Sequence, residues 1–171
     1  MLFLCNEEHV FLIKRAEAMP THAGQIAFVG GHKILGELDP WIVAQREFEE
    51  ETHLSRNCVE YLGCLPMVMT ARLQPIIPVV AKLTIPTSQF LSEVRSNGEW
   101  DDIVAYPWSV LIEEKSWEYA WRHGAHSKSA VMFHPIKAGS YLHIENNTKP
   151  HLLWGATANM IWTFLRLYFN R

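Results

Sequence analysis

Short apolar runs punctuate the first part of the chain, and the spacing of apolar positions turns helical after residue 39. Phe11-Leu12-Ile13 reads as a strand preceded by an Asn6-Glu7-Glu8 turn, with Met1 to Cys5 as its hairpin partner. Ile26-Ala27-Phe28-Val29 reads as a short strand that stops in a tight turn at Gly30-Gly31. Asp39-Pro40 signals a helix start, because Asp caps free backbone N–H groups and proline suits the first helical position. Trp41, Ala44 and Phe48 then recur at helical spacing and predict an apolar face, with the helix ending near His53-Leu54. A glutamate face lies beside it, toward solvent or a site.

Further strands are expected at Tyr61 to Leu65, at Ile76 to Leu83 and at Ile103 to Tyr106. Pro78 makes the second of these irregular or places it at an edge. Ser88 to Ser96 reads as polar loop or short helix, Ser109 to Trp117 as a short helix, and Ala156 to Tyr168 as the last helix. Residues 121–150 read as loops with one strand around Val131-Met132-Phe133. Strands mixed with two or three helices predict an α/β sandwich, with residues 1–171 forming one domain.

Composition changes this picture little: 49% hydrophobic and 19% charged residues are ordinary for a globular chain. The net charge of −3 offers no basic field for a phosphate polymer and argues against nucleic acid as a partner. A small phosphorylated ligand remains compatible, since a metal can supply positive charge locally. Cys5, Cys58 and Cys64 form neither a disulfide framework nor a zinc knuckle, and are expected to be reduced thiols in a cytoplasmic protein. The apolar C-terminal run is broken by Asn159 and Arg166, so it reads as a packed helix and not a membrane span.

The candidate chemistry lies in Arg46-Glu47-Phe48-Glu49-Glu50-Glu51. On a helix, Glu47, Glu50 and Glu51 fall at i, i+3 and i+4 and share a face. Like charges so close need a cation among them, and a divalent metal held by oxygen ligands is the obvious candidate.

Placed in register with the glycines upstream, these residues resemble the Nudix box, the signature of Nudix hydrolases. Its pattern is Gly, five residues, Glu, seven residues, Arg-Glu, an aliphatic, any residue, Glu-Glu, any residue, Gly, an aliphatic. Gly31, Glu37, Arg46, Glu47, Phe48, Glu50, Glu51 and Leu54 match. Eight residues separate Glu37 from Arg46, and His53 stands at the second glycine. The extra residue is similar to the spacing of the coenzyme A diphosphatase branch. Leu12-Ile13-Lys14-Arg15-Ala16, Gly24, Phe28 and Gly30-Gly31 resemble that branch's upstream motif, with Pro20 in place of its Arg and Val29 in place of its Pro. His22 to Phe28 looks like its local sequence, and Leu153-Trp154-Gly155-Ala156-Thr157-Ala158 resembles a stretch common near its C-terminus. The branch usually carries an extension ahead of its first strand, which leaves open a late start site or a truncated member.

The resemblance implies a Nudix-type α/β/α sandwich with a mixed β-sheet. It implies Mg²⁺ or Mn²⁺ held by Glu47, Glu50 and Glu51, with the Gly31 carbonyl as a further ligand. Glu47 could also orient or deprotonate the attacking water. Arg46 is expected to act mainly as an orienter, pairing with Glu50 at i+4, and Glu37 either as a structural residue or as one that supports the metal ligands from behind. Glu99 stands where the branch often has a Glu before a strand, and is a candidate base or ligand. Arg15 and Gly30 are candidate substrate contacts. His53 reads as a helix-end residue, His123 and His126 as exposed loop, and the seven tryptophans mostly as core. The expected reaction is metal-dependent hydrolysis of coenzyme A or a derivative to 4′-phosphopantetheine and adenosine 3′,5′-bisphosphate, by a monomer or homodimer. Two alternatives remain open: another Nudix substrate (ADP-ribose, a dinucleotide or an oxidised nucleotide), or a Nudix-like module that binds without catalysis.

Overall fold

The computed structural model describes residues 1–70, 73–113, 117–123, 128–136, 142–143 and 151–169. In chain order the elements are β1 (Leu2–Cys5), β2 (His9–Arg15), β3 (Ile26–Ala27), α1 (Pro40–Thr52) and a 3-10 turn (Arg56–Cys58). Next come β4 (Val59–Cys64), β5 (Val68–Met69), β6 (Pro75–Ile76), β7 (Val79–Leu83), α2 (Thr87–Glu93), β8 (Trp100–Pro107) and α3 (Trp108–Leu111). The chain closes with β9 (Glu118–His123), β10 (Lys128–Ile136), β11 (Leu142–His143), β12 (His151–Trp154) and α4 (Gly155–Tyr168).

The main sheet runs β11-β8-β2-β1-β7-β4, with β3 added to β2. β1 and β7 are parallel and the other pairs antiparallel, so the sheet is mixed, as expected. Its central strands bury both faces. Leu2 and Leu4 of β1, with Phe11 and Ile13 of β2, face Ala44 and Phe48 of α1 and Phe90 of α2. Phe3, Val10 and Leu12 face the opposite layer, built from Trp108, Leu111, Ile161, Phe164 and Leu165. Side chains on a strand alternate between faces, so one short apolar run can feed both cores. The result is the α/β/α sandwich. A fully buried side chain such as Phe48 contributes about 1.5–3 kcal/mol. β9, β10 and β12 form a separate three-stranded sheet, and β5 and β6 a hairpin.

Several boundaries differ from expectation. The strand expected over residues 26–29 stops at Ala27, and the Val29 carbonyl instead accepts from Leu2 N–H at 2.8 Å. Pro78 splits the strand expected over residues 76–83: Ile76 pairs with Val68, and β7 starts at Val79. The helix expected over residues 109–117 is a single turn ending at Leu111, after which the Trp117 indole N–H donates to the Leu111 carbonyl. Strand structure in 121–150 is more extensive than the one strand expected, and segments 124–127, 137–141 and 144–150, including His126, lie outside the described residues. Of the tryptophans, Trp100, Trp108 and Trp117 are core.

Candidate active site

Helix α1 positions the acidic residues. Asp39 caps it by accepting from Trp41 N–H at 2.9 Å, and Pro40 occupies the first turn. At the other end His53 adopts a left-handed conformation (φ 58°) and its N–H reaches the Glu49 carbonyl at 3.0 Å. His53 thus does the work of a C-terminal glycine and is a helix-end residue. The carboxylate of Glu49 is turned away to Arg56, accepting from its backbone N–H (2.9 Å) and its guanidinium (2.8 Å).

The three glutamates do not share one environment. Ala44, Phe48, Glu51 and Thr52 form the buried face of α1, so Glu51 is only 4% exposed. Glu47 is largely buried and Glu50 half-exposed. Helical geometry sends Glu51 inward with Phe48, so of the expected glutamate face only Glu50 is open to solvent. Glu51 lies beneath the double-glycine turn, where the Gly30 N–H donates to its Oε1 at 2.8 Å and the Trp100 indole donates to its main-chain carbonyl at 2.7 Å.

Arg46 is the hub of the other carboxylates. Its guanidinium donates to both oxygens of Glu37 (2.8 and 3.2 Å), to Glu50 (2.8 Å) and to the His32 carbonyl (3.0 Å), and pairs with Glu47 at 2.9 Å. Glu37 also accepts from Ile34 N–H at 2.9 Å. These bonds hold its carboxyl below the usual range, Arg46 first and the Ile34 N–H second. The planar fork of arginine, which lysine lacks, makes this arrangement possible. It pins the loop from Gly31 to Glu37 against the helix.

The glycines allow a close approach. Gly30 has φ 138°, and a Cβ there would lie 2.7 Å from Met1 Cα. A Cβ on Gly31 would lie 2.5 Å from Glu47 Oε1, so the backbone at 31 rests on that carboxylate.

Burial pushes the Glu51 carboxyl up to about 7; the Gly30 hydrogen bond opposes this, the charges of Glu99 and Glu47 add to it, and Arg15 opposes it. Glu99 and Arg15 are therefore within electrostatic reach of Glu51. Glu99 is exposed on the loop before β8, where its carbonyl accepts from Ala16 N–H at 2.9 Å. Arg15 ends β2 at a bulge opposite Trp100, and its Nε is buried with no hydrogen-bond partner. Trp100 and the His32 carbonyl were not anticipated from sequence. Trp100 adjoins Glu99, but no spacing rule links an indole at 100 to the end of a helix at 51.

Among the described residues, no three His, Cys, Asp or Glu groups converge as a ready-made metal cage. Arg46 stands between Glu47 and Glu50, while Glu51 turns to Gly30. The donor set nonetheless suits a hard divalent cation: it is all oxygen, it comes from one helix, and its buried member carries a raised pKa from burial and like charge.

The NUDIX domain family matches residues 1–109, well over half of the chain. The chain belongs to the Nudix family. It is a Nudix hydrolase, an enzyme acting on phosphoanhydrides, in a family that generally uses divalent metals. The uncharacterized Nudix hydrolase NudL of Photorhabdus laumondii is 28% identical over 162 residues, covering 92% of this chain and 76% of that protein. The corresponding protein of Cronobacter sakazakii is 36% identical over 76 residues, covering 43% of this chain and 38% of its own. The crystal structure of a MutT/nudix family protein from Enterococcus faecalis superposes with a TM-score of 0.52 at 16% identity. That match covers 99% of this chain and 61% of the other, and shows a shared Nudix fold. Among the described residues, no helix is long and apolar enough to cross a membrane.

Proposed function

We propose that this Nudix hydrolase cleaves the diphosphate of coenzyme A or a derivative, giving 4′-phosphopantetheine and adenosine 3′,5′-bisphosphate. The observation that carries the metal-dependent part is the placing of Glu47, Glu50 and the buried Glu51 on one helix beside the Gly30-Gly31 turn, with the backbone at Gly31 resting on the Glu47 carboxylate and the Gly30 N–H donating to Glu51. Glu47, Glu50 and Glu51, with the Gly31 carbonyl, are the proposed holders of Mg²⁺ or Mn²⁺. When bound, such an ion neutralises diphosphate oxygens and acidifies a water. Arg46 orients Glu47 and Glu50 and fixes the loop through Glu37 and His32. Arg15, with its buried free Nε, and the Gly30 backbone are the proposed substrate contacts. Glu47 and Glu99 are the proposed acceptors for the proton of the attacking water.

The choice of coenzyme A rests on the sequence: the extra residue before Arg46 and the upstream run from Leu12 to Gly31. Pro20 and Val29 depart from that run and favour a second reading, a Nudix hydrolase of ADP-ribose, a dinucleotide or an oxidised nucleotide. Initial rates on coenzyme A, acyl-coenzyme A, ADP-ribose, NADH and an oxidised purine triphosphate, each with Mg²⁺ and Mn²⁺, separate them. Coenzyme A or its acyl ester should be cleaved fastest. ADP-ribose or the oxidised nucleotide cleaved far faster than coenzyme A would overturn the substrate and leave the hydrolase standing.

A further inference from the structure

Glu51 and Thr52 are the last residues of α1, and the chain leaves the helix at His53. Their carbonyls therefore lose the partners that a further turn would supply. The segment that leads into β8 supplies them instead. The Arg95 N–H donates to the Thr52 carbonyl at 3.0 Å, and the Trp100 indole N–H donates to the Glu51 carbonyl at 2.7 Å. Trp100 and Glu51 are each 4% exposed, so this second bond is made away from solvent. The segment is also braced from within. Ser96 Oγ donates to the Trp100 carbonyl at 2.6 Å and accepts from Gly98 N–H at 2.9 Å, and the Glu99 N–H donates to Asn97 Oδ1 at 3.0 Å. Across the β2–β8 pairing Trp100 stands opposite Arg15. One residue thus holds the end of α1 with its side chain, while its backbone adjoins Glu99 and faces Arg15. A helix end that loses partners for its carbonyls frays from its last turn. In α1 that turn carries Glu50 and Glu51, so fraying would displace two of the three box glutamates.

We infer that Trp100 is a positioning residue for the reaction: its indole N–H anchors the last turn of α1 and so keeps Glu50 and Glu51 in place to hold a divalent cation. A group that fixes a ligand from behind tunes metal affinity without touching the metal. The inference rests on the reading of Glu47, Glu50 and Glu51 as metal holders, and is independent of which diphosphate is cleaved.

Trp100→Phe keeps a ring in the core and removes the donor. Trp108→Phe is the control: the Trp108 indole makes the same kind of bond, to the Asn6 carbonyl at 2.8 Å, beyond the end of β1 that lies away from Gly30. The readouts are Mn²⁺ affinity of the metal-free proteins by electron paramagnetic resonance and amide hydrogen exchange by NMR. In Trp100→Phe the Mn²⁺ dissociation constant should rise by about tenfold or more. The Gly30 N–H, which Glu51 accepts, should exchange about tenfold faster or more. Trp108→Phe should lower the Tm and change neither. Unaltered Mn²⁺ affinity in a folded Trp100→Phe, or the same losses in Trp108→Phe, overturns the inference. If Trp100→Phe fails to fold, a Mg²⁺ titration of the wild type decides. The Trp100 indole N–H resonance should then shift together with the Gly30 amide, while those of Trp108 and Trp117 stay in place. A Gly30 amide that shifts without the Trp100 indole overturns the positioning role alone. A wild type that binds neither Mg²⁺ nor Mn²⁺ overturns the metal reading and this inference with it.

Discussion

Replacing Glu51 with Gln should stabilise the metal-free protein while removing its activity. Glu51 is nearly fully buried, and its pKa rises from 4.5 to about 7, with burial the largest cause. One pKa unit corresponds to about 1.4 kcal/mol, so keeping this carboxylate ionised at neutral pH costs the fold about 3 kcal/mol at most. Gln preserves an acceptor for the Gly30 N–H, but an uncharged one, which returns about 1 kcal/mol. The net gain is about 2 kcal/mol, or about 4–8 °C in Tm for a chain of this size. The sign with pH follows from a carboxyl whose folded pKa lies above its unfolded value. Its cost is absent below about 4.5, grows as pH rises, and is complete above about 7. Thermal unfolding in EDTA should therefore show Glu51→Gln well above wild type at pH 7.5 and close to it near pH 4.5. Adding Mn²⁺ should raise the Tm of wild type more than that of the variant. A variant no more stable than wild type at pH 7.5, or a difference unchanged at acid pH, would refute the reading of Glu51 as a strained carboxylate.

Gly31→Ala should displace the Glu47 carboxylate, because the new Cβ would start 2.5 Å from Glu47 Oε1; we expect kcat to fall by about tenfold or more with Tm nearly unchanged, measured by steady-state kinetics beside calorimetry. Arg46→Lys cannot span Glu37, Glu47, Glu50 and the His32 carbonyl at once, so kcat should fall and limited proteolysis should cut the loop before α1 faster than in wild type. His53→Gly should raise stability by about 0.5–1 kcal/mol, since glycine takes the left-handed helix end without a Cβ penalty; urea unfolding measures it, and rates should be unchanged.

Much of this site can be read from sequence because it rests on local rules. Asp39-Pro40 and the Ala44, Phe48 period place α1 within a residue or two, and the i, i+4 rule pairs Arg46 with Glu50. The Arg46 link to Glu37 is not a helical spacing, and resemblance alone gave Glu37 its structural role. The burial of Glu51 was missed for a physical reason: the same spacing that groups it with Glu47 also aligns it with Phe48 and Ala44, and only the sheet decides which neighbour wins. Trp100 reaches the end of α1 from β8 by its indole N–H, and the charge of Arg15 acts on Glu51 from the end of β2, links that no local pattern encodes. Pro78 was a sound warning of irregularity, but where β6 ends and β7 begins depended on their different partners, β5 and β1. The buried alternation of β1 and β2 appeared only as short apolar runs, because both faces of each strand are covered.

The most direct test of the central claim is product analysis by mass spectrometry after incubation with coenzyme A, comparing wild type with Glu50→Gln, each with Mn²⁺ and with EDTA. The account predicts 4′-phosphopantetheine and adenosine 3′,5′-bisphosphate in equal amounts from wild type with Mn²⁺, almost none in EDTA, and a loss of about a hundredfold or more in a folded Glu50→Gln. Equal cleavage with and without metal, or full activity in Glu50→Gln, would contradict it.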